Sequence, residues 1–404
     1  MRYIVPVLLL LCCSMFAFST PNYPFPQHIS YEGAISPSTY TQAQLDQNTL
    51  HYYQEWKKNY LVHEGNLYRI ATDKKDKSRT VSEGQGYGML ITAYFAGADK
   101  DAQKIFDGLF RFSRAHPSSI VPELMTWQVP EVKGESDSAF DGDTDIAYAL
   151  LLADKQWGSK GEINYKKEAL KIIDAIMKHT IGSKSHLPML GDWVDPNGKQ
   201  YNQYTTRSSD FMISHFRTFY AVTKDKRWLK VVHETQKALL QIQSLPHNKT
   251  KLVSDFLYYD KTKKHFFPTK KHFLEEEDDS YYYNACRVPW RVGVDALLHN
   301  DATSHEISQK LLTWVYQSSQ QNPQNIKSGY HLDGKVIGDY PSTAFITPFG
   351  VTAKSDPKMQ HYLDALYDFV KNRQENYYED SINLLSLLII TNNYWDPVTV
   401  KTVK

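Results

Sequence analysis

Apolar and polar positions along the chain fall into paired helical segments. In each pair, a continuously apolar stretch is followed by a short polar turn and then by an amphipathic stretch with apolar residues every three or four positions. One apolar stretch, residues 381–390, has its predicted partner in a helix around residues 42–60. The other pairs lie at residues 88–97 with 102–112, 146–153 with 165–179, 211–222 with 228–242, 292–298 with 305–316, and 343–351 with 362–372.

This pattern predicts an all-α protein built from about six helix pairs. The continuously apolar helices are expected to lie inside and the amphipathic ones outside, which gives a double-ringed helical toroid; an open solenoid is the alternative. Unequal repeat lengths and the lack of polar end caps favour the closed ring. Strand-like pieces at residues 251–259 and 330–337 are expected to be short excursions between helices. No linker-like segment interrupts the sequence, so residues 20–404 are predicted to form a single domain.

The N-terminal residues have the pattern of a secretory signal. Arg2 supplies a positive start, residues 5–13 are apolar, and residues 17–19 form a small-x-small cleavage site. We therefore expect a signal peptide over residues 1–19, a secreted or periplasmic protein, and no membrane association after cleavage, with a retained anchor as the alternative. Cys286 is the one cysteine outside this segment, and we expect it to be a buried, inert thiol.

Composition narrows the class of ligand. A net charge of +1 offers no electrostatic footprint for nucleic acid or for an anionic membrane. The chain holds 28 Tyr and 8 Trp, and although most of these rings are expected to fill the core, sugars can stack their C–H faces on the others. We therefore expect a neutral polymer such as a polysaccharide as the partner, and a monomeric protein.

Acidic residues recur before successive inner helices, where a closed toroid brings the connecting segments together at one end. Glu83 lies among glycines, Asp141 and Asp143 follow before the second inner helix, and Asp210 precedes the third. Helix capping explains one or two of these residues, but not the Gly, Trp, Tyr and Arg around them. Two carboxyl groups that flank a glycosidic bond can hydrolyse it, one as an acid and the other as a base or nucleophile.

Three segments resemble the motifs of glycoside hydrolase family 8. They are residues 82–89 (Ser-Glu-Gly-Gln-Gly-Tyr-Gly-Met), residues 138–147 (Ser-Ala-Phe-Asp-Gly-Asp-Thr-Asp-Ile-Ala) with Trp157 and Gly158, and residues 281–291 (Tyr-Tyr-Tyr-Asn-Ala-Cys-Arg-Val-Pro-Trp-Arg). The family contains inverting endo-glycosidases: endoglucanases, lichenases, chitosanases and xylanases. The resemblance covers nearly all of the chain after residue 19 and implies an (α/α)6 barrel.

The resemblance implies Glu83 as general acid and Asp143 as the residue that binds and distorts the sugar at the scissile position. One branch of the family has an aspartate base where this chain has Asn284, and an amide cannot take up a proton at useful pH. In the branch that shares this asparagine, the base is a glutamate in an upstream loop that begins Phe-Leu-Glu. Residues 273–275 match that start, so Glu275 is the expected base, with Glu276 second.

Further residues are expected to contact the substrate or to support the site. Arg287 is expected to orient Asn284 or the attacking water, with a structural ion pair as the alternative. Trp127, Trp193 and Tyr340 are expected to be stacking platforms, with a place in the core as the alternative for each. His215 and His331 have no metal-ligand spacing and are expected to be satisfied polar histidines, and residues 277–279 are expected to be a solvated loop. The expected substrate-binding residues are Tyr87, Asp141, Trp127, Trp193, Asp210, Asn284, Arg287 and Tyr340.

The sequence therefore predicts a secreted inverting endo-β-1,4-glycosidase that acts on a glucan-type polysaccharide without a cofactor or metal, since two carboxylates and water suffice. A chitosanase is one alternative, because a cleft rich in Asp and Glu would attract a cationic polymer. A catalytically inactive polysaccharide-binding or synthase-accessory protein is another, because Asn284 could mark a lost base.

Overall fold

The computed structural model describes residues 20–132, 134 and 136–399, and the predicted signal segment 1–19 lies outside the described residues. Twelve α-helices form the framework of the described chain. They are α1 Gln42–Tyr60, α2 Ser82–Tyr94, α3 Ala102–Ala115, α4 Phe140–Trp157, α5 Tyr165–His179, α6 Ile213–Thr223, α7 Arg227–Ser244, α8 Val288–His299, α9 Ala302–Ser318, α10 Thr343–Ala353, α11 Gln360–Val370 and α12 Tyr377–Ile390.

The even-numbered helices form a closed inner ring. Each packs on the next in the order α2, α4, α6, α8, α10 and α12, and α12 returns to α2. Each inner helix also packs on its outer partner, and the outer partner of α12 is the N-terminal helix α1. The predicted (α/α)6 barrel, its six pairs and the closing pair between residues 42–60 and 381–390 are therefore confirmed, and the open solenoid is excluded.

Burial follows the predicted division between inner and outer helices. In α2 every residue except Glu83 is buried, whereas α3 alternates a buried apolar face with exposed polar positions. Two glycines let α2 and α4 approach closely: a Cβ on Gly142 would lie 2.5 Å from the backbone carbon of Ser82, and one on Gly86 would lie 2.8 Å from Cβ of Asp145. This approach brings the N-terminal ends of α2 and α4 together.

Seven short strands lie between the helices of the described chain. Two antiparallel pairs are β1 Leu61–Glu64 with β2 Leu67–Ile70 and β3 Thr80–Val81 with β4 Gln128–Val129; a three-stranded antiparallel sheet has the order β5 Thr205–Arg207, β6 Phe256–Asp260 and β7 His265–Pro268. The strand-like piece 251–259 overlaps β6. Residues 330–337 instead form a turn, because Tyr330 pairs only through isolated bridges to Tyr281 and Val336.

The N-terminal segment before α1 crosses the end of the barrel opposite the inner-helix N-termini. Its backbone amides donate to carbonyls near the C-terminal ends of inner helices: Asn22 to Gln156, Ile29 to Asn392. Among the described helices, none combines the length and the apolar character needed to cross a bilayer.

Candidate active site

A cavity of about 440 Å³ opens where the N-terminal ends of α2, α4, α8 and α12 meet. Both of the leading catalytic candidates, Glu83 and Glu275, line it. A larger groove of about 820 Å³ lies between residues 196–205 and 258–273, but Asp260 is the one carboxylate that lines it among the described residues. Of these two, the smaller cavity therefore offers the pair of carboxylates that glycoside hydrolysis requires.

Glu83 lies in the first turn of α2 and faces the cavity with a side chain that is 16% exposed. Its Oε2 accepts a hydrogen bond from Nη1 of Arg287 at 2.6 Å, and its Oε1 accepts one from the hydroxyl of Tyr377 at 3.1 Å. Removal of the carboxyl group from bulk water raises the pKa of Glu83, the Arg287 guanidinium lowers it, and the charge of Asp141 raises it again. The net effect is a pKa above the ordinary value, as a general acid requires.

Arg287 connects the groups on the cavity floor. Its Nη1 donates to Glu83 and, at 2.8 Å, to Oδ2 of Asp141; its Nη2 donates to Oγ of Ser209 at 2.9 Å and to Oδ1 of Asn284 at 3.0 Å. Both alternatives considered for Arg287 apply at once, since it is a buried ion-pair partner and also fixes the orientation of the Asn284 amide.

Asp141 remains ionised at the cavity wall. Burial alone would raise the pKa of Asp141, but the guanidinium groups of Arg207 and Arg287 outweigh it and hold the pKa well below its usual range. Glu83 and Asp141 share the same guanidinium, yet their surroundings shift their pKa values in opposite directions. Such a pair supplies one protonated and one ionised carboxyl group at the same pH.

Glu275 reaches the cavity from the loop between β7 and α8, residues 269–280. Its Oε2 accepts a hydrogen bond from Nδ2 of Asn284 at 3.0 Å. Asn284 is held in turn by Arg287 at its carbonyl oxygen and by the buried Asp255, whose Oδ2 accepts from the Asn284 amide nitrogens of backbone (3.0 Å) and side chain (3.2 Å). Glu83 and Glu275 are thus linked through a guanidinium and an amide, which separates the two carboxyl groups without direct contact.

A second polar layer lies one helical turn below the cavity floor. Asp145, Arg291 and Tyr87 each follow a cavity residue by four positions, and Arg291 donates to both carboxylate oxygens of Asp145, at 3.0 and 2.7 Å. His215 contacts the same carboxylate at 3.0 Å and stacks on Tyr148, so it is a satisfied polar histidine. This layer fixes the depth and rotation of the helices that carry Glu83, Asp141 and Arg287.

The structure corrects the roles expected of Asp143, Asp210 and Tyr87, none of which lines the cavity. Asp143 points behind the wall, where Oδ1 accepts from the backbone amide of Met125 at 2.8 Å and burial raises its pKa well above the usual value. Asp210 is fully buried behind Arg207. Tyr87 is buried beneath Glu83, with its hydroxyl 3.4 Å from Nη1 of Arg287.

The acidic loop also differs from expectation. Glu276 is exposed and does not line the cavity, so Glu275 is the residue of the two that the structure brings to the site. Residues 277–279 are not a solvated run, because Glu277 and Asp278 are buried. Asp278 accepts hydrogen bonds at Oδ2 from the backbone amides of Leu274 (2.7 Å) and Glu275 (2.8 Å), and so it fixes the backbone that presents Glu275.

One of the three predicted aromatic platforms lines the cavity. Trp127 does so, with the guanidinium of Arg79 5.7 Å from its ring centroid. Trp193 instead packs edge-on against Tyr201, away from the cavity. Tyr340 is 51% exposed and reaches the site indirectly, through a 2.6 Å contact between its hydroxyl and that of Tyr283. Cys286 is fully buried.

Several groups at the site were not predicted from the sequence. Tyr377 and Glu379 lie in the first turn of α12, which has an acidic pair, Glu379 and Asp380, but no neighbouring glycines; Arg207 lies three positions before Asp210. Asp255 lies within the strand-like piece 251–259, directly before β6. These residues share one feature that the sequence could have revealed: each precedes or begins an inner helix or the sheet beside it.

Comparisons with known proteins identify the family of the chain. The family described as Glycosyl hydrolases family 8 matches residues 33–392. An endoglucanase of Bacillus sp. (strain KSM-330) is 42% identical over 389 residues, which cover 93% of this chain and 82% of that protein. A beta-glucanase of Niallia circulans is 38% identical over 400 residues and 96% of each chain.

Solved structures share the fold. The apo structure of a beta-1,3-1,4-glucanase from Paenibacillus sp. X4 has a TM-score of 0.89 at 39% identity and covers 93% of this chain and 100% of that one. A cold-adapted family 8 xylanase has a TM-score of 0.73 at 17% identity, covering 91% and 95%, which is a likeness of fold alone. With the family match over most of its length, the chain belongs to glycosyl hydrolase family 8 and is a glycoside hydrolase.

Proposed function

We propose that this glycoside hydrolase is an exported, monomeric, inverting endo-β-glucanase with Glu83 as general acid and Glu275 as general base. The observation that carries the proposal is the hydrogen-bonded series Glu83, Arg287, Asn284, Glu275 around one cavity. Two carboxyl groups held apart by intervening groups leave space for a water molecule between the base and the sugar, which is the arrangement of inverting enzymes. The residues 1–19 support export.

The reaction follows from the protonation states. Protonated Glu83 donates its proton to the glycosidic oxygen as the bond from that oxygen to the anomeric carbon breaks. Glu275 accepts a proton from water while the water oxygen bonds to the anomeric carbon from the opposite face. Asp141, kept ionised by two guanidinium groups, lies where it can stabilise positive charge that develops on the sugar.

Asn284 occupies the position where another branch of the family has an aspartate base, and we assign it a positioning role. Its Oδ1 is engaged by Arg287, so its Nδ2 must face outward and donate to the carboxylates of Glu275 and Asp255. The amide therefore selects the orientation of the Glu275 carboxylate without itself taking up a proton.

The cavity favours a neutral glucan over cationic chitosan. Four carboxyl groups line it (Glu83, Asp141, Glu275 and Glu379), but the guanidinium groups of Arg79, Arg207 and Arg287 line it as well. With Glu83 protonated, positive and negative charges balance, so the acidic attraction that would suit chitosan is absent. The endoglucanase and beta-glucanase names of the 42% and 38% identical relatives also support a β-glucan substrate.

The proposal is tested by reducing-end release from mixed-linkage β-glucan, carboxymethyl cellulose, chitosan and xylan. We expect turnover of the β-glucans, with the α-anomer as the first product in a proton NMR time course. Glu275→Gln should lower the rate by about 10²- to 10⁴-fold, whereas the matched neighbour variant Glu276→Gln should keep it. Tight glucan binding without turnover by the wild type would contradict the proposal, and so would a β-anomeric first product.

A further inference from the structure

A second cluster of potential ligands lies on the far side of the loop 269–280. One donor atom from each of Glu277, Asp279 and His331 lies within 4.8 Å of the other two. His331 comes from the turn after Tyr330, about fifty residues further along the chain, so no sequence spacing revealed the cluster. None of the three residues lines the catalytic cavity.

Ser280 determines which ring nitrogen of His331 carries the proton. The Ser280 hydroxyl contacts Oδ1 of Asp279 at 2.8 Å and Nδ1 of His331 at 2.9 Å. The carboxylate can only accept, so the hydroxyl donates to Asp279 and Nδ1 of the imidazole must donate to the hydroxyl. A neutral His331 therefore has its lone pair on Nε2. An outer partner that holds one ring nitrogen and leaves the other free is the usual setting of a metal-binding histidine.

Two buried oxygen atoms near the cluster have no hydrogen-bond partner among the described residues. Glu277 is only 9% exposed, and while its Oε1 pairs with Lys271, its Oε2 is buried without a hydrogen-bond partner among the described residues. The buried Thr269 hydroxyl also lacks a partner in the described chain, and Thr269 lines a cavity of about 600 Å³ together with Asp279 and His331. Buried oxygen atoms normally have partners, so these two are available to a bound ion or its water molecules.

We propose that Glu277, Asp279 and His331 form a site for one divalent transition-metal ion of the Zn²⁺ type, separate from the catalytic cavity. Two carboxylates and one imidazole supply three protein ligands, and water completes a tetrahedral site. The imidazole favours Zn²⁺ over Ca²⁺, which takes six to eight oxygen ligands. Asp279 and His331 are half-buried, so both have room to close around the ion.

Lys271 is the neighbouring cation and leaves room for the metal. It pairs with Oε1 of Glu277, and its side chain is 44% exposed. The ion would take the second oxygen, so binding does not require Lys271 to be displaced. Lys335 also lines the adjacent cavity, but it pairs with Asp333 at 3.5 Å. Glu277 and Asp279 against Lys271 therefore leave a net negative charge to attract the metal.

The ion would join two segments that already touch. Tyr281 and Tyr330 exchange backbone hydrogen bonds at 2.9 Å in both directions, directly beside the cluster. A metal bound to Glu277, Asp279 and His331 would tie the loop that carries Glu275 to the turn 330–336. Its expected effect is therefore stabilisation of the fold.

The test is calorimetric titration of EDTA-treated, dialysed protein with ZnCl₂, followed by thermal unfolding with and without the ion. We expect one Zn²⁺ per chain and a saturable rise in the unfolding midpoint of about 2 °C or more, reversed by EDTA. His331→Ala and Asp279→Asn should each weaken binding at least about tenfold. His233→Ala removes an exposed histidine beside Glu234 on α7, and this variant should bind as the wild type does.

Two results would overturn the proposal. One is the absence of saturable Zn²⁺ binding, or binding that His331→Ala leaves unchanged while His233→Ala weakens it, which would assign the ion to surface histidines. The other is equal stabilisation by CaCl₂ that survives His331→Ala, which would indicate a site made of oxygen ligands only. Both readouts are independent of glucan hydrolysis, so the metal site and the proposed activity can fail separately.

Discussion

Glu83 and Glu275 carry the same functional group in different surroundings. Glu83 is half-buried on a helix that is otherwise fully buried, and its carboxyl group has a raised pKa. Glu275 is exposed on a loop and accepts a single side-chain hydrogen bond, from Asn284. The first setting favours a proton that is retained and then donated, and the second leaves the Glu275 carboxyl group accessible to water.

Loss of Glu83 as the general acid should lower the rate of hydrolysis strongly only when the leaving group needs a proton. Glu83→Gln should lower hydrolysis of β-glucan by about 10²- to 10⁴-fold, and should cost far less on a dinitrophenyl β-cello-oligosaccharide, whose leaving group departs as a stable anion. Glu275→Gln should impair both substrates, because both require activated water. Steady-state kinetics on the two substrates measure this contrast, and equal losses for Glu83→Gln on both would contradict its role as the acid.

The two aspartates at the start of α4 show what the motif could and could not reveal. Asp141 and Asp143 were both predicted to face the substrate, but residues two apart on a helix differ by about 200° in direction. Asp141 faces the cavity, and Asp143 bonds to the backbone of Met125. The motif therefore identified the correct turn of α4. Which of its two carboxylates faces the cavity depends on the rotation of α4, and packing determines that rotation.

The close contact between α2 and α4 sets the distance between Glu83 and Asp141. A methyl group on Gly142 would collide with the backbone of Ser82, directly before Glu83. Gly142→Ala should therefore destabilise the protein by about 1–3 kcal/mol and reduce glucanase activity by moving α4 away from α2. Urea unfolding and kcat/KM are the measurements.

Gly161 is the matched control for Gly142. A Cβ at this position meets no heavy atom within 4 Å, and the residue does not adopt a positive φ. Gly161→Ala should therefore leave stability and activity unchanged. If both alanine variants were neutral, the close approach of α2 and α4 would not constrain the site.

The conformation of the loop that presents Glu275 depends on Asp278. This role could not be recognised from the acidic sequence of residues 275–279. Asp278→Ala leaves the backbone amides of Leu274 and Glu275 without an acceptor, so we expect kcat to fall about tenfold or more with KM little changed. Asp278→Asn should restore most of kcat, because one oxygen accepts both bonds in the native loop.

Asp260 provides the control for Asp278. It accepts from the backbone amides of Thr262 and Lys263 in the β6–β7 turn, the same local motif away from Glu275. Asp260→Ala should keep wild-type kcat. A comparable loss of kcat in both alanine variants, or no rescue by Asp278→Asn, would show that Asp278 does not position the base.

The barrel as a whole was predictable because the pattern of apolar and polar residues repeats from one helix pair to the next. Each inner helix is mostly apolar and buried on nearly all sides and each outer helix on one side, so burial repeats through the described chain, including the closure of α12 onto α1. The loops have no repeating pattern of apolar and polar residues. Consequently the capping by Asp278, the amide support from Asp255 and the proximity of His331 to Asp279 could be seen only in three dimensions.

The end of the barrel opposite the active site is closed around a buried lysine. Lys354 directly follows α10, and its Nζ lies within hydrogen-bond distance of the carbonyls of Ile35 (2.8 Å) and Ile390 (3.1 Å) and of Oδ1 of Asn392 (2.8 Å). It thus joins the C-terminal ends of α10 and α12 to the N-terminal segment. Among the described residues, no carboxylate pairs with it, and burial lowers the pKa of Lys354 to about 7.

This lysine should make the stability of the whole barrel depend on pH. Between about pH 7 and the ordinary lysine pKa of about 10.4, the unfolded chain holds a proton at Lys354 that the folded chain has released, so the free energy of unfolding rises with pH. Lys354→Met lacks this contribution and also leaves two carbonyls without a donor. Denaturant unfolding at pH 7, 8 and 9 should therefore show the wild type gaining on Lys354→Met as pH rises, by up to about 1.4 kcal/mol per pH unit. Lys166→Met, on the exposed face of α5, should follow the wild type throughout. A constant difference between wild type and Lys354→Met across this range would show that the folded barrel keeps Lys354 protonated.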